Sequence, residues 1–125
     1  MTTIQANKNR NYIHLYLNGC AGKSKIEKLL NKTISELEKL TPGFILLIES
    51  SNFSIQTKSD EILFSLLLQS IKEHGVVKTI LIGGTEKEFR TINSENNFWH
   101  SNCIRYEKAA SISEALVLID DYQPA

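Results

Sequence analysis

The stretch Phe44-Ile45-Leu46-Leu47-Ile48 is uniformly apolar and only five residues long. Short apolar runs of this kind are typical of a central strand that is covered on both faces of its sheet. A second run, Lys78-Thr79-Ile80-Leu81-Ile82, which ends in three apolar residues and is predicted as another buried strand, follows after one helical segment. Because a helix between two strands favours a parallel crossover, we expect the two runs to be adjacent parallel strands in the sheet interior.

Helical patterns lie on both sides of the first apolar run. Before it, apolar residues recur at helical spacing from Ile26 to Leu40, and Ser24 with Glu27 forms a predicted capping box. After it, Thr57 to His74 is predicted as a second helix, in which Thr57 begins a further capping box. The central strand therefore has a helix before it and a helix after it.

The two ends of the chain complete the pattern. Tyr12 to Leu17 alternates in polarity as a strand does, and Thr2 to Ala6 is predicted to pair with it as a hairpin. A weaker third helix is predicted from Thr85, an edge strand over Asn102 to Tyr106, and a fourth helix from Ser111. The predicted fold is α/β, with an N-terminal β-hairpin, a mostly parallel sheet of four or five strands and about four helices, as a single domain over residues 1–125.

The composition excludes several classes of function. Fourteen basic residues balance fourteen acidic residues, so the chain has no excess of positive charge with which to bind nucleic acid. The longest apolar run is far shorter than the roughly 20 residues that span a bilayer. Cys20 and Cys103 lie far apart without metal-binding spacing. We expect a cytoplasmic protein with no metal, no cofactor, no nucleic-acid partner and no membrane span.

The order of elements and one longer stretch resemble a known family. The stretch Leu46-Leu47-Ile48-Glu49-Ser50-Ser51-Asn52-Phe53 is similar to the central strand of STAS domains, which ends in an acidic residue and leads through a loop into helix two. The STAS family includes the sporulation-type anti-sigma-factor antagonists, and the resemblance covers nearly the whole chain. It implies a STAS-like fold and a regulatory, protein-binding role.

The resemblance also implies a test for a phosphorylation switch. Regulated family members carry an Asp-Ser pair at the start of helix two, and a partner kinase phosphorylates that serine. Here the pair would fall at Thr57-Lys58 or Lys58-Ser59, where no Asp-Ser pair is present. The chain therefore resembles a branch that keeps the fold without the switch. We expect no efficient phosphorylation there, with Ser59 or Thr57 as the acceptor if any occurs.

The segment from Glu49 to Ser59 is predicted as a loop at the carboxyl end of a central strand. Loops in that position, leading into a helix N-terminus, favour ligands and anions in open α/β sheets. The alternative is that its hydroxyl groups only cap and turn the chain. The candidate binding residues in and beside this loop are Ser51, Asn52, Phe53, Ser54, Thr57 and Ser59.

The apolar residues of helix two cover roughly 240° of its circumference, more than one sheet can bury. We expect one flank to pack on the sheet, formed by Ile62, Leu63, Leu66 and Leu67. The other flank, which contains Phe64 and Leu68, is then a candidate interaction surface for a protein partner or a second subunit. The alternative is that a neighbouring helix covers Phe64 and Leu68 within the chain.

Taken together, the residues predict a non-enzymatic regulatory or protein-interaction module. A binder or carrier of a small hydrophobic, lipid-like molecule is the alternative. An enzyme or nucleotide-binding protein ranks last. Gly19 to Ser24 partly matches a phosphate-binding P-loop, but the glycine that the motif requires is Leu17 here.

Overall fold

The computed structural model describes residues 2–84 and 105–121, which form one five-stranded sheet with helices on both faces. The strands, in spatial order, are β1 (Thr3–Asn7), β2 (Tyr12–Ala21), β3 (Ile45–Ile55), β4 (Lys78–Gly83) and β5 (Arg105–Ala109). The helices in this part of the chain are α1 (Lys23–Leu37), α2 (Lys58–Glu73) and α3 (Ile112–Asp121). β1 is antiparallel to β2, and every other neighbouring pair is parallel. The predicted hairpin and mostly parallel α/β sheet are confirmed.

The two apolar runs are the interior strands of this sheet. β3 and β4 are adjacent and parallel, with Ile45 beside Lys78 and Ile48 beside Leu81. β2 lies on the other side of β3, and β5 on the other side of β4. β5 is the predicted edge strand, although it extends to Ala109; residues 102–104 and the third helix predicted from Thr85 lie outside the described residues.

The sheet buries a different set of side chains on each face. α1 and α2 cover one face, and the largest buried cluster lies there, with members such as Ile13, Leu15, Leu46, Ile48, Leu67 and Ile71. α3 covers part of the other face, where Ile45, Leu47, Ile80 and Ile82 meet Ala115 and Ile119. Strand side chains point alternately to the two faces, so β3 and β4 supply apolar residues to both.

At the three helix starts in the described residues, capping follows the prediction at two. The Thr57 hydroxyl accepts a hydrogen bond from the Asp60 backbone N–H at 3.1 Å, and Ser111 does the same for Glu114 at 3.2 Å. The predicted cap by Ser24 is wrong. β2 continues to Ala21 and α1 begins at Lys23, so Ser24 lies inside the first turn and Gly22 is the N-cap residue.

The turn between β1 and β2 contacts α3. The Arg10 guanidinium donates to the Leu116 backbone carbonyl at 3.3 Å and forms an ion pair with Asp120. This contact joins the N-terminal hairpin to α3. In the described part of the chain, no helix has both the length and the apolar content needed to cross a membrane.

Glu36 of α1 is buried at the edge of the sheet. Its carboxylate accepts a hydrogen bond from the Ala6 backbone N–H of β1 at 2.9 Å, and Lys39 donates to the other oxygen at 2.7 Å. The hydrogen bond from Lys39, followed by that from Ala6, holds the pKa of Glu36 below its ordinary value although burial opposes the shift. The charged form therefore stabilises the packing of α1 against β1.

The lowered pKa predicts how Glu36 contributes to stability as the pH changes. A carboxyl group whose pKa is lower in the folded state stabilises the protein above its unfolded pKa, near 4.3, and loses that contribution as the pH falls through the folded pKa. We expect Glu36→Gln to lower the free energy of unfolding at pH 7, and the gap from wild type to narrow below about pH 4. Urea denaturation from pH 7 to pH 3 measures this gap, with Glu38→Gln, at the exposed C-cap of α1, as the control. A gap that stays constant over this range would contradict the prediction.

Candidate interaction site

The start of α2 lies directly after the end of β3, with two residues between them. Thr57 caps the helix, and its hydroxyl lies 3.4 Å from that of Ser59; both side chains are exposed. Asp60 and Glu61 occupy the first turn, where acidic groups favour the positive end of the helix dipole. The chain therefore places its own carboxylates at this N-terminus, with two exposed hydroxyl groups beside them.

Four residues that were predicted to lie in the loop belong to strand β3 instead. Ser51, Asn52, Phe53 and Ser54 continue β3 because β2 pairs with it as far as Ile55. A register shift opposite Gly19 accommodates one additional β3 residue, and Asn52 adopts a φ of 54° there. The predicted loop is thus reduced to the short connection before Thr57.

Phe53 is a core residue. Its side chain is 4% exposed, and its ring centroid lies 5.6 Å from that of Phe64 of α2. Unbroken alternation from Leu46 and Ile48 would point Phe53 to the opposite face of the sheet. The additional β3 residue at the register shift reverses the alternation and turns Phe53 toward α1 and α2, while Asn52 and Ser54 remain exposed. The prediction of Phe53 as a binding residue is therefore wrong, and its aromatic contact serves packing.

The orientation of α2 differs from the one predicted. Phe64 and Leu68 are 2% and 0% exposed and pack in the main core, so the hypothesis that they form an interaction surface is wrong. Leu67 and Ile71 lie on the same side of the helix and are buried with them. Of the four residues predicted to pack on the sheet, Leu67 is buried, Leu63 is half-buried, and Ile62 and Leu66 face solvent.

The outer face of α2, which we define as Ile62, Leu66, Ser59, Gln69 and Ser70, carries the exposed apolar surface of this helix. Ile62 is 48% exposed and Leu66 is 50% exposed. The two lie one turn apart, roughly opposite the buried side of the helix. The Ser65 and Ser70 hydroxyls bond to the carbonyls of Ile62 and Leu66, so both groups are already satisfied.

A second polar feature lies on the sheet face opposite α1 and α2. His14 Nε2 is 3.0 Å from the Glu49 carboxylate, and both side chains are about two-thirds buried. No carboxylate near His14 in sequence predicts this pair, but the parallel register does, since Glu49 lies beside Tyr16 and points to the same face as His14. Such a contact orients the imidazole ring.

Two hollows on the described surface are small. One of about 170 Å³ is lined by Gln5, Ala6, Asn7, Tyr12 and His14, and one of about 160 Å³ lies between β1 and α1. Ordinary organic-ligand sites measure roughly 300 Å³ or more. Neither hollow supports the alternative of a lipid-like ligand. The P-loop-like segment also has a different structure, because Gly19 to Ala21 are β2 residues alongside β3.

Comparisons with known proteins identify the fold. No family model matches the sequence, and no curated protein matches it. Among solved structures, the chain is similar to the phosphorylated form of SpoIIAA, described as a Bacillus cell fate determinant, with a TM-score of 0.60 and 13% sequence identity. The match covers 95% of this chain and 99% of that chain. The predicted STAS-like fold is thereby confirmed.

Proposed function

We propose that this chain, which shares the fold of SpoIIAA, is a non-enzymatic regulatory module that binds a protein partner through the outer face of α2. The observation that carries the proposal is the half-exposed pair Ile62 and Leu66 on the solvent side of that helix. The expected location remains the cytoplasm.

The chemistry of this face favours a protein partner. Two aliphatic side chains at i and i+4 are the usual anchors by which one helix docks into an apolar groove or against another helix. Complete burial of a Leu or Ile side chain is worth about 1.5–3 kcal/mol, so covering the exposed half of each contributes about 1 kcal/mol. Two such anchors give a modest affinity, and polar groups around them must supply the rest.

The start of α2 supplies those polar groups in the proposed interface. Thr57 and Ser59 are exposed at the N-terminal end of the outer face, and Asn52 and Ser54 are exposed on the preceding strand. We propose these four residues as the polar rim of the binding surface. Ser51 lies outside this rim, because its side chain shares with Glu49 the sheet face opposite α2. Phe53, Phe64 and Leu68 support this surface from within the core.

In this proposal the interaction does not depend on a phosphate group. SpoIIAA was solved in a phosphorylated form. In this chain the sequence at the start of α2 is Thr57-Lys58-Ser59-Asp60, in which the acidic residue follows the serine. Asp60 and Glu61 already place negative charge at the helix N-terminus, so a phosphate on Thr57 or Ser59 would meet like charges.

The outer face of α2 is tested by removing its apolar side chains without adding charge. We expect the double variant Ile62→Gln/Leu66→Gln to keep the wild-type melting temperature within a few degrees and to weaken partner binding at least tenfold. Affinity capture from a lysate of the native host, with quantitative mass spectrometry, compares the variant with wild type. Intact-mass measurement of this chain, recovered from the native host, shows whether it carries a phosphate group.

Val117→Gln is the matched control, because Val117 of α3 is 58% exposed and lies on a different helix. Proteins that bind wild type and Val117→Gln but not the double variant support the proposal. Identical capture by all three forms contradicts it. If the double variant changes only the oligomeric state in sedimentation experiments, the partner of this face is a second copy of the chain.

A further inference from the structure

α1 carries three lysines along the side that faces β1. Lys25, Lys28 and Lys32 line one hollow together with Thr2 and Thr3, at the start of β1. The lysines occupy positions i, i+3 and i+7, so they lie along one side of the helix over two turns, a span of about 10.5 Å. All three are exposed. This side of α1 is therefore an exposed row of positive charge.

The chain does not pair this row with carboxylates of its own. In the described part of the chain none of the three lysines forms an ion pair, and Lys25 donates instead to the Cys20 backbone carbonyl at 3.3 Å. The next carboxylate on this side, Glu36, follows Lys32 by one turn and already accepts hydrogen bonds from Lys39 and a backbone N–H. The row is therefore complementary to carboxylates of another molecule.

The hollow beside the lysines is small and mainly apolar. It measures about 160 Å³, and Leu29 of the main core lines it. The Thr2 hydroxyl is bonded to the C=O and N–H of Asn18, at 3.1 and 3.2 Å, so it needs no further partner. An apolar cavity of about 150 Å³ holds one benzene molecule, whereas organic-ligand sites measure roughly 300 Å³ or more. The hollow therefore has the size for one apolar side chain.

We infer that this side of α1 binds an acidic, amphipathic helix of a protein partner. One aliphatic side chain of the partner enters the hollow, and carboxylates on either side of it meet the lysines. A helix with carboxylates at i, i+4 and i+7 and its aliphatic residue at i+3 has the same two-turn span as Lys25 to Lys32. Anchors at this spacing are the usual means by which a helix docks into a groove.

The hollow favours a protein helix over other anionic partners. A membrane surface presents its charged headgroups as a layer above the acyl chains, so it brings no apolar group into a recess between lysines. A nucleobase could enter, but the residues that line the hollow include no aromatic side chain on which it could stack. Only a protein segment combines carboxylates and an aliphatic side chain at the spacing that this surface requires.

The inference does not rest on the function proposed for the outer face of α2. α1 packs against α2, whereas Lys25, Lys28 and Lys32 lie toward β1, so the two surfaces are separate. The variant Ile62→Gln/Leu66→Gln should therefore bind an acidic helix at the lysine row as well as wild type does. Failure of one proposal is thus distinguishable from failure of the other.

A synthetic peptide tests the inference on the full chain. Its sequence is Ala-Ala-Glu-Ala-Gln-Leu-Glu-Ala-Gln-Glu-Ala-Ala, and a hydrocarbon staple on the face away from the glutamates holds it helical. Fluorescence anisotropy of the labelled peptide should show saturable binding that weakens as NaCl is raised. We expect the peptide with alanine in place of leucine to bind roughly tenfold more weakly, because the hollow is then left unfilled.

Variants of the chain test the charge. Lys28→Ala/Lys32→Ala should weaken binding of the parent peptide by roughly three- to tenfold. Lys72→Ala, an exposed lysine on α2, is the matched control and should leave the affinity unchanged. Both lysines of the double variant are exposed, and Glu36 keeps its hydrogen bond from Lys39. The circular dichroism melt of the double variant should therefore match that of wild type.

Three results would overturn the inference. The first is the absence of saturable binding of the parent peptide. The second is equal binding of the leucine and alanine peptides, which would reduce the contact to charge alone. The third is an unchanged affinity in Lys28→Ala/Lys32→Ala. Phosphatidylserine vesicles and single-stranded RNA are titrated in parallel. Binding of either one that depends on Lys28 and Lys32, without binding of the peptide, would assign the lysines to that ligand instead.

Discussion

Replacing Leu68 by alanine should lower the free energy of unfolding by about 2–5 kcal/mol, whereas Leu66→Ala should change it by less than about 0.5 kcal/mol. Leu68 is 0% exposed within the main core, and truncating it removes buried apolar contacts and leaves a cavity. Leu66 is 50% exposed, and alanine is at least as good a helix former. The two substitutions are chemically identical and lie on the same helix.

Urea denaturation monitored by circular dichroism measures both variants against wild type. A shift of the midpoint in Leu68→Ala, with little change in the slope, would report a loss of folded-state packing. Equal losses in the two variants would mean that α2 is rotated about its axis relative to the structure. That result would also remove the basis for the proposed outer face of α2, because Leu66 would then be a packing residue.

Gly75→Ala should destabilise the protein by about 2–4 kcal/mol, combining backbone strain with a steric clash. Gly75 ends α2 with a φ of +100°, where L-residues with a side chain are strained. A Cβ atom added there would lie 3.0 Å from Pro42 Cβ and 3.1 Å from Pro42 Cα. The Gly75 carbonyl also accepts a hydrogen bond from the Gly43 N–H at 2.8 Å. The segments that contain Gly43 and Gly75 therefore cannot move apart without losing this hydrogen bond.

Gly43→Ala is the matched control for Gly75→Ala. Gly43 has a similar φ of +94°, but no atom lies within 4 Å of an added Cβ. It should therefore show the strain alone, about 1–2 kcal/mol. Thermal and urea unfolding of both variants separates the two contributions. If Gly43→Ala is as damaging as Gly75→Ala, the contact with Pro42 has no energetic weight.

The fold was predictable because its signals are local. The apolar run from Phe44 to Ile48 requires cover on both faces, and the structure places it between two strands with helix layers on either side. Thr57 and Ser111 cap their helices through hydrogen bonds that join residues only three positions apart in sequence. Such features depend on spacing within one segment, which the sequence states directly.

The candidate site was less predictable because it depends on orientation and register. The apolar residues of α2 cover more than one flank, so the period alone did not show that Phe64 and Leu68, rather than Ile62 and Leu66, face the sheet. The extension of β3 through Ser54 depends on its pairing with β2, a long-range contact. No signal within residues 49–59 distinguishes that extension from a loop rich in serine.

The contact between Arg10 and α3 has a consequence for the order in which the protein folds. Its two sides lie 106 to 110 residues apart in sequence, so this contact closes one of the longest loops available to a chain of 125 residues. The entropy of closing a loop rises with its length, and the cost falls once intervening segments have folded. During synthesis the hairpin emerges before the helix that it binds. Docking of α3 is therefore a late step, which follows assembly of the parallel sheet.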